Sequence, residues 1–580
     1  MFLSSHFLLL VALATSFTFA APSSNASADS PIVTLDNGTF IGGTNGTINS
    51  FLGIRFAQPP WVPSARVHAQ TNIKTSGSTG DLRFRLPVAN DPYNGTYNVT
   101  NFGLTCPQQS QNISLRDLNI DISALTAALG VLSNESLPQG EDCLNVNVWA
   151  PADVHRGANL SVFVWIFPGG FQAGSNAARG LRGDTIVQRS IELGEPIIFV
   201  SMNYRVSAFG FLASQEVEDA EVGNIGLWDQ RQALRWVQKY IAAFGGNPAN
   251  VTIGGESAGA ISVGLQMVTN GGNTEGLFRA AFMSSGSPIP VGNITHGQKY
   301  YDALVNDTGC FGTADTLECL RQVPYDQLKK AVDMSPNLLS TQGVNLPWLP
   351  RADGKFLTAP PPQLVLSGSV ADVPFISGDC DDEGTVFSVV PALKLNITTS
   401  DEFATWINET YFSTVPAGGL VDLFTLYPDD PTQGSPFGTG DRYQLTKQYK
   451  RMAALQGDLI FQAQRRFLLE QRSGKQNTWS YLFQGRKNPF LQGALGSRHG
   501  DDLPTYFGPG QMTDYLVNFV NHLDPNGPTV DAVWPKYTNS STNLLTLTGE
   551  SAPYQLNITQ DDYRVEGMST LMALSLKYPL

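Results

Sequence analysis

Apolar runs without polar alternation recur along the middle of this chain: Leu160 to Phe167, Ile197 to Met202, Val251 to Ile253, Ala280 to Met283 and Val373 to Ile376. A strand solvated on one face alternates apolar with polar residues, so such runs predict strands covered on both faces. Between them lie helical patterns, the clearest from Leu227 to Ala243, where Leu234, Val237 and Ile241 recur at helical spacing. Strand and helix in alternation predict an α/β fold with a large, mainly parallel, doubly wound sheet. Shorter β-rich runs precede it, Ile32 to Leu35, Thr47-Ile48 and Phe51 to Ile54, broken by Asn-Gly turn signals; they read as a small N-terminal antiparallel sheet. With no internal repeat and no long low-complexity linker, residues 21–580 read as one domain with long loop insertions.

The first residues carry an apolar run from Phe7 to Leu13 and then the small-residue stretch Thr18-Phe19-Ala20-Ala21, the layout of a cleaved signal peptide over residues 1–20. The n-region lacks the usual Lys or Arg. The apolar run falls short of the roughly 20 residues a bilayer span needs, and no later segment reads as transmembrane. Asn-x-Ser/Thr sequons at Asn37, Asn94, Asn98, Asn112, Asn134, Asn159, Asn396, Asn408 and Asn557 also point to a secreted, extracellular protein. A further sequon at Asn250 sits against a buried strand and is not expected to carry sugar. A formal charge of −14 disfavours nucleic acid and anionic membrane as partners.

Five cysteines are present, and nearest-neighbour pairing in an oxidising compartment would join Cys106 to Cys143 and Cys310 to Cys319, leaving Cys380 free. That connectivity is not unique from spacing. No Cys-x-x-Cys or His-x-x-x-His spacing suggests a protein-held metal.

The chemistry centres on Gly255-Glu256-Ser257-Ala258-Gly259. A Gly-x-Ser-x-Gly pentapeptide alone is weak evidence. Here a strand, Val251 to Gly254, precedes it and a helix start, Ala260 to Leu265, follows, which places Ser257 on a sharp strand-to-helix turn that exposes its hydroxyl. Such a nucleophile needs a base and an orienting acid, in the order Ser, acid, His. Of six histidines, His6 belongs to the signal, His68, His155 and His296 sit in polar stretches, and His522 falls late in an apolar helical run. His499 differs, lying in the turn-rich Gly496 to Asp502 downstream of the strand-like Trp479 to Phe483, and it is the expected base. For the acid, Asp379, Asp381, Asp382 and Glu383 cluster after the run Val373 to Ile376, and spacing does not choose among them. Phe167-Pro168-Gly169-Gly170-Phe171 follows a strong strand, and its glycines suit an oxyanion hole, with Ala258 supplying the donor after the nucleophile.

These features resemble the type-B carboxylesterase/lipase family, which contains cholinesterases and the secreted fungal lipases of the Candida rugosa and Geotrichum type. The resemblance covers nearly the whole mature chain. It is carried by Gly223-Asn224-Ile225-Gly226-Leu227-Trp228-Asp229-Gln230, by Phe244-Gly245-Gly246-Asn247-Pro248, and by Glu141-Asp142-Cys143-Leu144-Asn145-Val146-Asn147-Val148-Trp149. It implies the α/β-hydrolase fold, both disulfides, Glu383 as the acid within Asp382-Glu383-Gly384, and Gly169, Gly170 and Ala258 as oxyanion donors. Departures are Pro168 at the opening of the oxyanion motif, Cys380 three residues before Glu383, where a buried thiol is expected, and some 20 polar residues from Trp61 to Gly80 where the family runs on directly. The last reads as a surface loop or a retained intron.

The implied reaction is ester hydrolysis through an acyl-enzyme on Ser257, without a cofactor. The loop from Cys106 to Cys143 carries Leu115, Leu118, Ile120, Ile122, Leu125, Leu129, Val131 and Leu132 among polar residues and resembles a lipase lid. It points to medium- or long-chain or sterol-type esters at a lipid–water interface, with small soluble esters as the alternative. The loop has no Trp, which disfavours a choline ester. A catalytically silent adhesion protein of the same fold is disfavoured because Ser257, Glu383 and His499 are all present.

Overall fold

The computed structural model describes residues 30–59, 82–111, 137–178, 180–487, 493–530 and 532–580. The expected signal peptide, the Trp61 to Gly80 stretch and the amphipathic part of the Cys106 to Cys143 loop lie outside the described residues.

Among the described residues fourteen strands run in chain order as β1 (Ile32–Leu35), β2 (Asn37–Ile41), β3 (Gly43–Thr44), β4 (Ile48–Arg55), β5 (Asn94–Asn98), β6 (Asn145–Pro151), β7 (Leu160–Ile166), β8 (Ile197–Met202), β9 (Gly246–Glu256), β10 (Ala280–Ser284), β11 (Phe375–Cys380), β12 (Thr478–Gly485), β13 (Asn543–Gly549) and β14 (Gln555–Gln560). Eleven form one sheet in the order β14-β13-β12-β11-β10-β9-β7-β8-β6-β4-β3, and β1, β2 and β5 form a second. Strands β8, β7, β9, β10, β11, β12 and β13 pair in parallel, while β14 at one end and β6, β4 and β3 at the other are antiparallel. The chain has the α/β-hydrolase fold.

The apolar runs are explained by two cores, one on each face of the large sheet. Along β7, Val162, Val164 and Ile166 enter one core and Phe163 and Trp165 the other; along β8, Ile198, Val200 and Met202 alternate with Ile197 and Phe199 in the same way. Both sets are buried, and the polar exception within β8, Ser201, is buried with its hydroxyl hydrogen-bonded to Asn147 Nδ2 at 3.2 Å and Asn176 O at 3.3 Å. Each such side chain contributes about 1.5–3 kcal/mol.

The opening strands differ from a single meander. They divide between the sheets: β1 and β2 pair antiparallel and accept β5 in parallel, whereas β3 and β4 join the large sheet. Phe51 and Ile54 of β4 need a buried face, and β6 offers one through Val146 and Val148.

The block Glu141 to Trp149 anchors the base of the Cys106 to Cys143 loop. Cys143 is bonded to Cys106, Glu141 takes the Arg83 guanidinium at 2.7 Å, and Asp142 takes Arg55. Asn145 Nδ2 donates to Leu104 O at 3.0 Å. The second disulfide joins Cys310 to Cys319, and Cys380 is a buried free thiol.

Candidate active site

Ser257 sits between the end of β9 and the helix Ala258–Val268, with φ 54° and ψ −124°. This is left-handed backbone, which costs a non-glycine residue about 1–3 kcal/mol and persists only when its surroundings enforce it. They do: Ser257 N donates to Ser284 O at 2.9 Å, and Ile261 N donates to Ser257 O at 2.8 Å. The flanking glycines are needed because a Cβ on Gly255 would lie 2.3 Å from Gly259 C, and one on Gly259 would lie 2.1 Å from Ile166 O. That approach brings the end of β7 against the elbow, and with it the turn Phe167 to Phe171. Gly169 and Gly170 hold φ of 127° and 62°. The N–H groups of Gly169, Gly170 and Ala258 donate to no acceptor among the described residues.

The block Gly223 to Gln230 braces this elbow from behind. Asp229, buried in the helix Ile225–Tyr240, takes Arg205 at 2.6 Å, and Gln230 Nε2 donates to Ser262 Oγ at 2.9 Å. Ser262 Oγ in turn donates to Ala258 O at 2.8 Å, one turn earlier in the helix after Ser257.

At the end of β11 and just beyond it, the four acidic candidates separate by partner. Asp379 Oδ2 accepts from the buried Arg465 at 2.8 Å, and Asp381 takes Lys487. Asp382 accepts from Ser435 Oγ at 2.8 Å, Phe437 N at 2.7 Å and Ser497 N at 2.9 Å, pinning the acidic loop to the segment that carries His499. Glu383 alone reaches the imidazole: its Oε1 accepts from Cys380 N at 2.6 Å and its Oε2 bonds His499 Nδ1. With Nδ1 facing a carboxylate, the neutral ring carries its proton there and leaves Nε2 as an acceptor. Phe461 and Phe387 pack on the ring at centroid distances of 4.7 and 5.1 Å.

Ser257, Glu383, His499 and the glycine turn after β7 thus all follow the carboxyl ends of parallel strands of the large sheet, the end at which such sheets place their sites. No hydrogen bond joins Ser257 Oγ to His499 Nε2 in the described structure. Nε2 instead lies 3.4 Å from Glu256 Oε1. Of the other described histidines, His155 and His296 are exposed and His522 lies 3.3 Å from Glu195.

The carboxylesterase family model matches residues 29–565. The chain belongs to the carboxylesterase family. It is a carboxylic-ester hydrolase. This esterase is 38% identical to "Secreted lipase 1" of Botryotinia fuckeliana over 95% of its own chain and 97% of the relative. It is also 38% identical to "Lipase 4" of Diutina rugosa, over 94% and 96% of the two chains. Among solved structures it is similar to EstA of Aspergillus niger, with a TM-score of 0.77 and 26% identity over 95% of this chain and 99% of that one.

Two acidic groups of the esterase's site were not singled out by sequence reasoning. Glu256 is fully buried beside His499, and neither of its oxygens has a hydrogen-bond partner among the described residues. Burial, together with the charges of Asp502 and Glu383 and against that of His499, pushes its carboxyl up to about 8. Asp502 is buried too, accepting from Ser284 Oγ at 2.7 Å and Tyr481 OH at 2.6 Å. Burial opposes charge on the His499 ring, but Glu383, Glu256 and Asp502 outweigh it and raise its pKa to about 9. The available signal was a carboxylate ending the otherwise apolar strand Val251 to Gly255.

Among the described residues no His, Cys, Asp and Glu group has the arrangement of a metal site, and no helix is long and apolar enough to cross a membrane.

Proposed function

We propose that this esterase hydrolyses acyl esters by a two-step acyl transfer with Ser257 as nucleophile, His499 as base and Glu383 as the acid that orients it. The hydrogen bond between Glu383 and His499, beside the strained turn of Ser257, carries this reading. Substrate binding brings Ser257 Oγ and His499 Nε2 into hydrogen-bond contact, a tightening that resting hydrolases commonly await. Oγ attacks the ester carbonyl while Nε2 takes its proton; Glu383 stabilises the imidazolium, which then protonates the departing alkoxide. The free N–H groups of Gly169, Gly170 and Ala258 receive the developing oxyanion. Water, activated by the same imidazole, cleaves the acyl-enzyme and returns Ser257.

The acyl group is of medium or long chain, on a glyceride or sterol-type ester met at a lipid–water interface. The amphipathic residues of the Cys106 to Cys143 loop favour this, as do relatives named as lipases. Residues 1–20 act as a cleaved signal peptide of a secreted enzyme, a reading supported by the relative named a secreted lipase.

Ser257→Ala tests the nucleophile. It should abolish the burst and turnover of nitrophenyl esters with an unchanged melting curve, and retained turnover would overturn the assignment. An activity profile over esters of increasing acyl length, with and without an emulsion, tests the substrate; a maximum at acetate in solution would favour the alternative, a small-ester esterase.

A further inference from the structure

Both sheets are open, and an open sheet ends in a row of backbone N–H and C=O groups that can template pairing with another chain. Two edge strands are bare. Strand β14 closes one end of the large sheet and β5 one end of the small one; among the described residues neither pairs with another backbone on its outer side, and on β5 the Asn94 N–H donates to Tyr97 OH at 3.4 Å while its C=O accepts from that hydroxyl at 3.0 Å. Gln555, Asn557, Ile558, Thr559 and Gln560 are exposed, as are Asn94, Gly95, Thr96 and Asn98. Neither strand contains Lys, Arg, Asp, Glu or Pro, and neither pairing is broken by a bulge. On β14 the usual devices that blunt an edge are therefore missing, and on β5 they are limited to its five-residue length and the distortion at Gly95, φ 95°.

The opposite edges are managed otherwise. Strand β3 is two residues long, and β1 packs against the turn Ile241–Phe244.

What the two bare edges carry is sequons: Asn557-Ile558-Thr559 on β14, and Asn94-Gly95-Thr96 and Asn98-Val99-Thr100 on β5. In each, both the Asn and the Thr are exposed. Asn94 and Asn98 lie four residues apart in β5, with Gly95 between them at φ 95°. The sequon at Asn250 contrasts: Thr252 is fully buried and Asn250 Oδ1 accepts from Arg279 at 2.8 Å.

We propose that N-linked oligosaccharides on Asn557 and on the Asn94/Asn98 pair guard the two bare sheet edges against strand pairing between copies of this chain. The inference rests on secretion as proposed above. In the covalent step, Asn Nδ2 displaces the diphosphate at the anomeric carbon of a lipid-linked oligosaccharide. The C–N bond forms as the C–O bond breaks, Nδ2 loses one proton, and the lipid diphosphate leaves.

The test uses the full chain secreted from a fungal host. Enzymatic deglycosylation in heavy-oxygen water followed by peptide mapping marks each occupied Asn. Asn557→Gln and the double variant Asn94→Gln/Asn98→Gln are compared with Asn159→Gln and Asn408→Gln, whose exposed asparagines lie off the sheet edges. Asn557 and at least one of Asn94 and Asn98 should be occupied. The edge variants should keep kcat/KM yet lose their monomer peak on mild heating faster than the controls, with thioflavin-positive aggregate, and Asn557→Lys should restore the monomer. Unmodified edges on a chain modified at Asn159 or Asn408 would overturn the proposal, as would edge variants that outlast heating as well as the controls. A secreted chain bearing no glycan would overturn it while leaving secretion standing, whereas a chain retained inside the cell would remove the secretion reading itself.

Discussion

Glu383 Oε2 and His499 Nδ1 are hydrogen-bonded across the gap between the loops that follow β11 and β12, 116 residues apart in the chain. Because β11 and β12 are parallel neighbours in register from Phe375 to Cys380, both loops leave the sheet at the same end, and the contact follows from that pairing.

Glu383→Gln should leave this geometry largely intact but remove the charge that stabilises the imidazolium and selects its tautomer. The expected loss in kcat is roughly 10³–10⁴-fold with little change in KM. Steady-state kinetics on a soluble ester check this, and a loss below tenfold would remove Glu383 from the role.

The His499 pKa, held at about 9 by Glu383, Glu256 and Asp502 against burial, sets the acid limb of the rate profile. The base must be neutral, so kcat/KM should rise with pH into the alkaline range. Glu256→Gln removes one of the three charges and should move that limb to lower pH. Initial rates from about pH 5 to about pH 10 test it; a limb that stays in place would show that Glu256 does not act on the imidazole.

The same two groups make stability depend on pH. His499 is raised above its unfolded value of 6.5, so its contribution is complete below about pH 6.5 and is lost as pH rises through about 9. Glu256 is raised from 4.5 to about 8; the folded protein favours its neutral form, and stability falls as pH rises between those values. Tm should therefore decline from about pH 5 to about pH 9, less steeply in Glu256→Gln.

Arg465 is fully buried between Asp379, at 2.8 Å, and Asp561, at 3.0 Å. Arg465→Met would leave the first carboxylate uncompensated and the second dependent on Arg466, with an expected destabilisation of about 3–5 kcal/mol. Urea unfolding measures it, and a change under 1 kcal/mol would mean that Arg466 and water replace the guanidinium.

Cys380 is buried and its thiol is pushed well above the usual value by desolvation and by the nearby Asp502 and Glu383 charges. A disulfide reagent should find no reactive thiol in the native protein and one after unfolding without reduction, since the other four cysteines are paired.

Much of the site was legible from residue order alone. Ser257 stood out because its strand, turn and helix are local in sequence, and a sharp bend there requires small neighbours. His499 emerged because the other histidines lay in segments with plainer roles. The acid did not, since Asp379, Asp381, Asp382 and Glu383 share one short segment and differ only in where each side chain points. Only the resemblance to esterases singled out Glu383, and the fold separates the four by their partners: Asp379 meets Arg465, Asp381 Lys487, Asp382 Ser435 and Ser497 N, and of the four only Glu383 bonds His499.

The N-terminal strands show the same division. Their existence follows from apolar and β-branched runs between turns, whereas their distribution over two sheets depends on which buried face, that of β6 or that of β2, each meets. Glu256 is the sharpest case. Its identity is plain in the chain, but its lack of hydrogen-bond partners among the described residues and its place against His499 arise from segments that are distant in sequence.

By itself, then, the sequence determined the strand-and-helix order and the parallel sheet and pointed to the proposed nucleophile and base, because these rest on periodicity and on turns formed by neighbours in the chain. The partner of each carboxylate, the strain at Ser257, the elevated pKa of His499 and the bare edges at β5 and β14 were decided only by tertiary structure. Each depends on burial and on distances between segments far apart in the chain, which residue order does not encode locally.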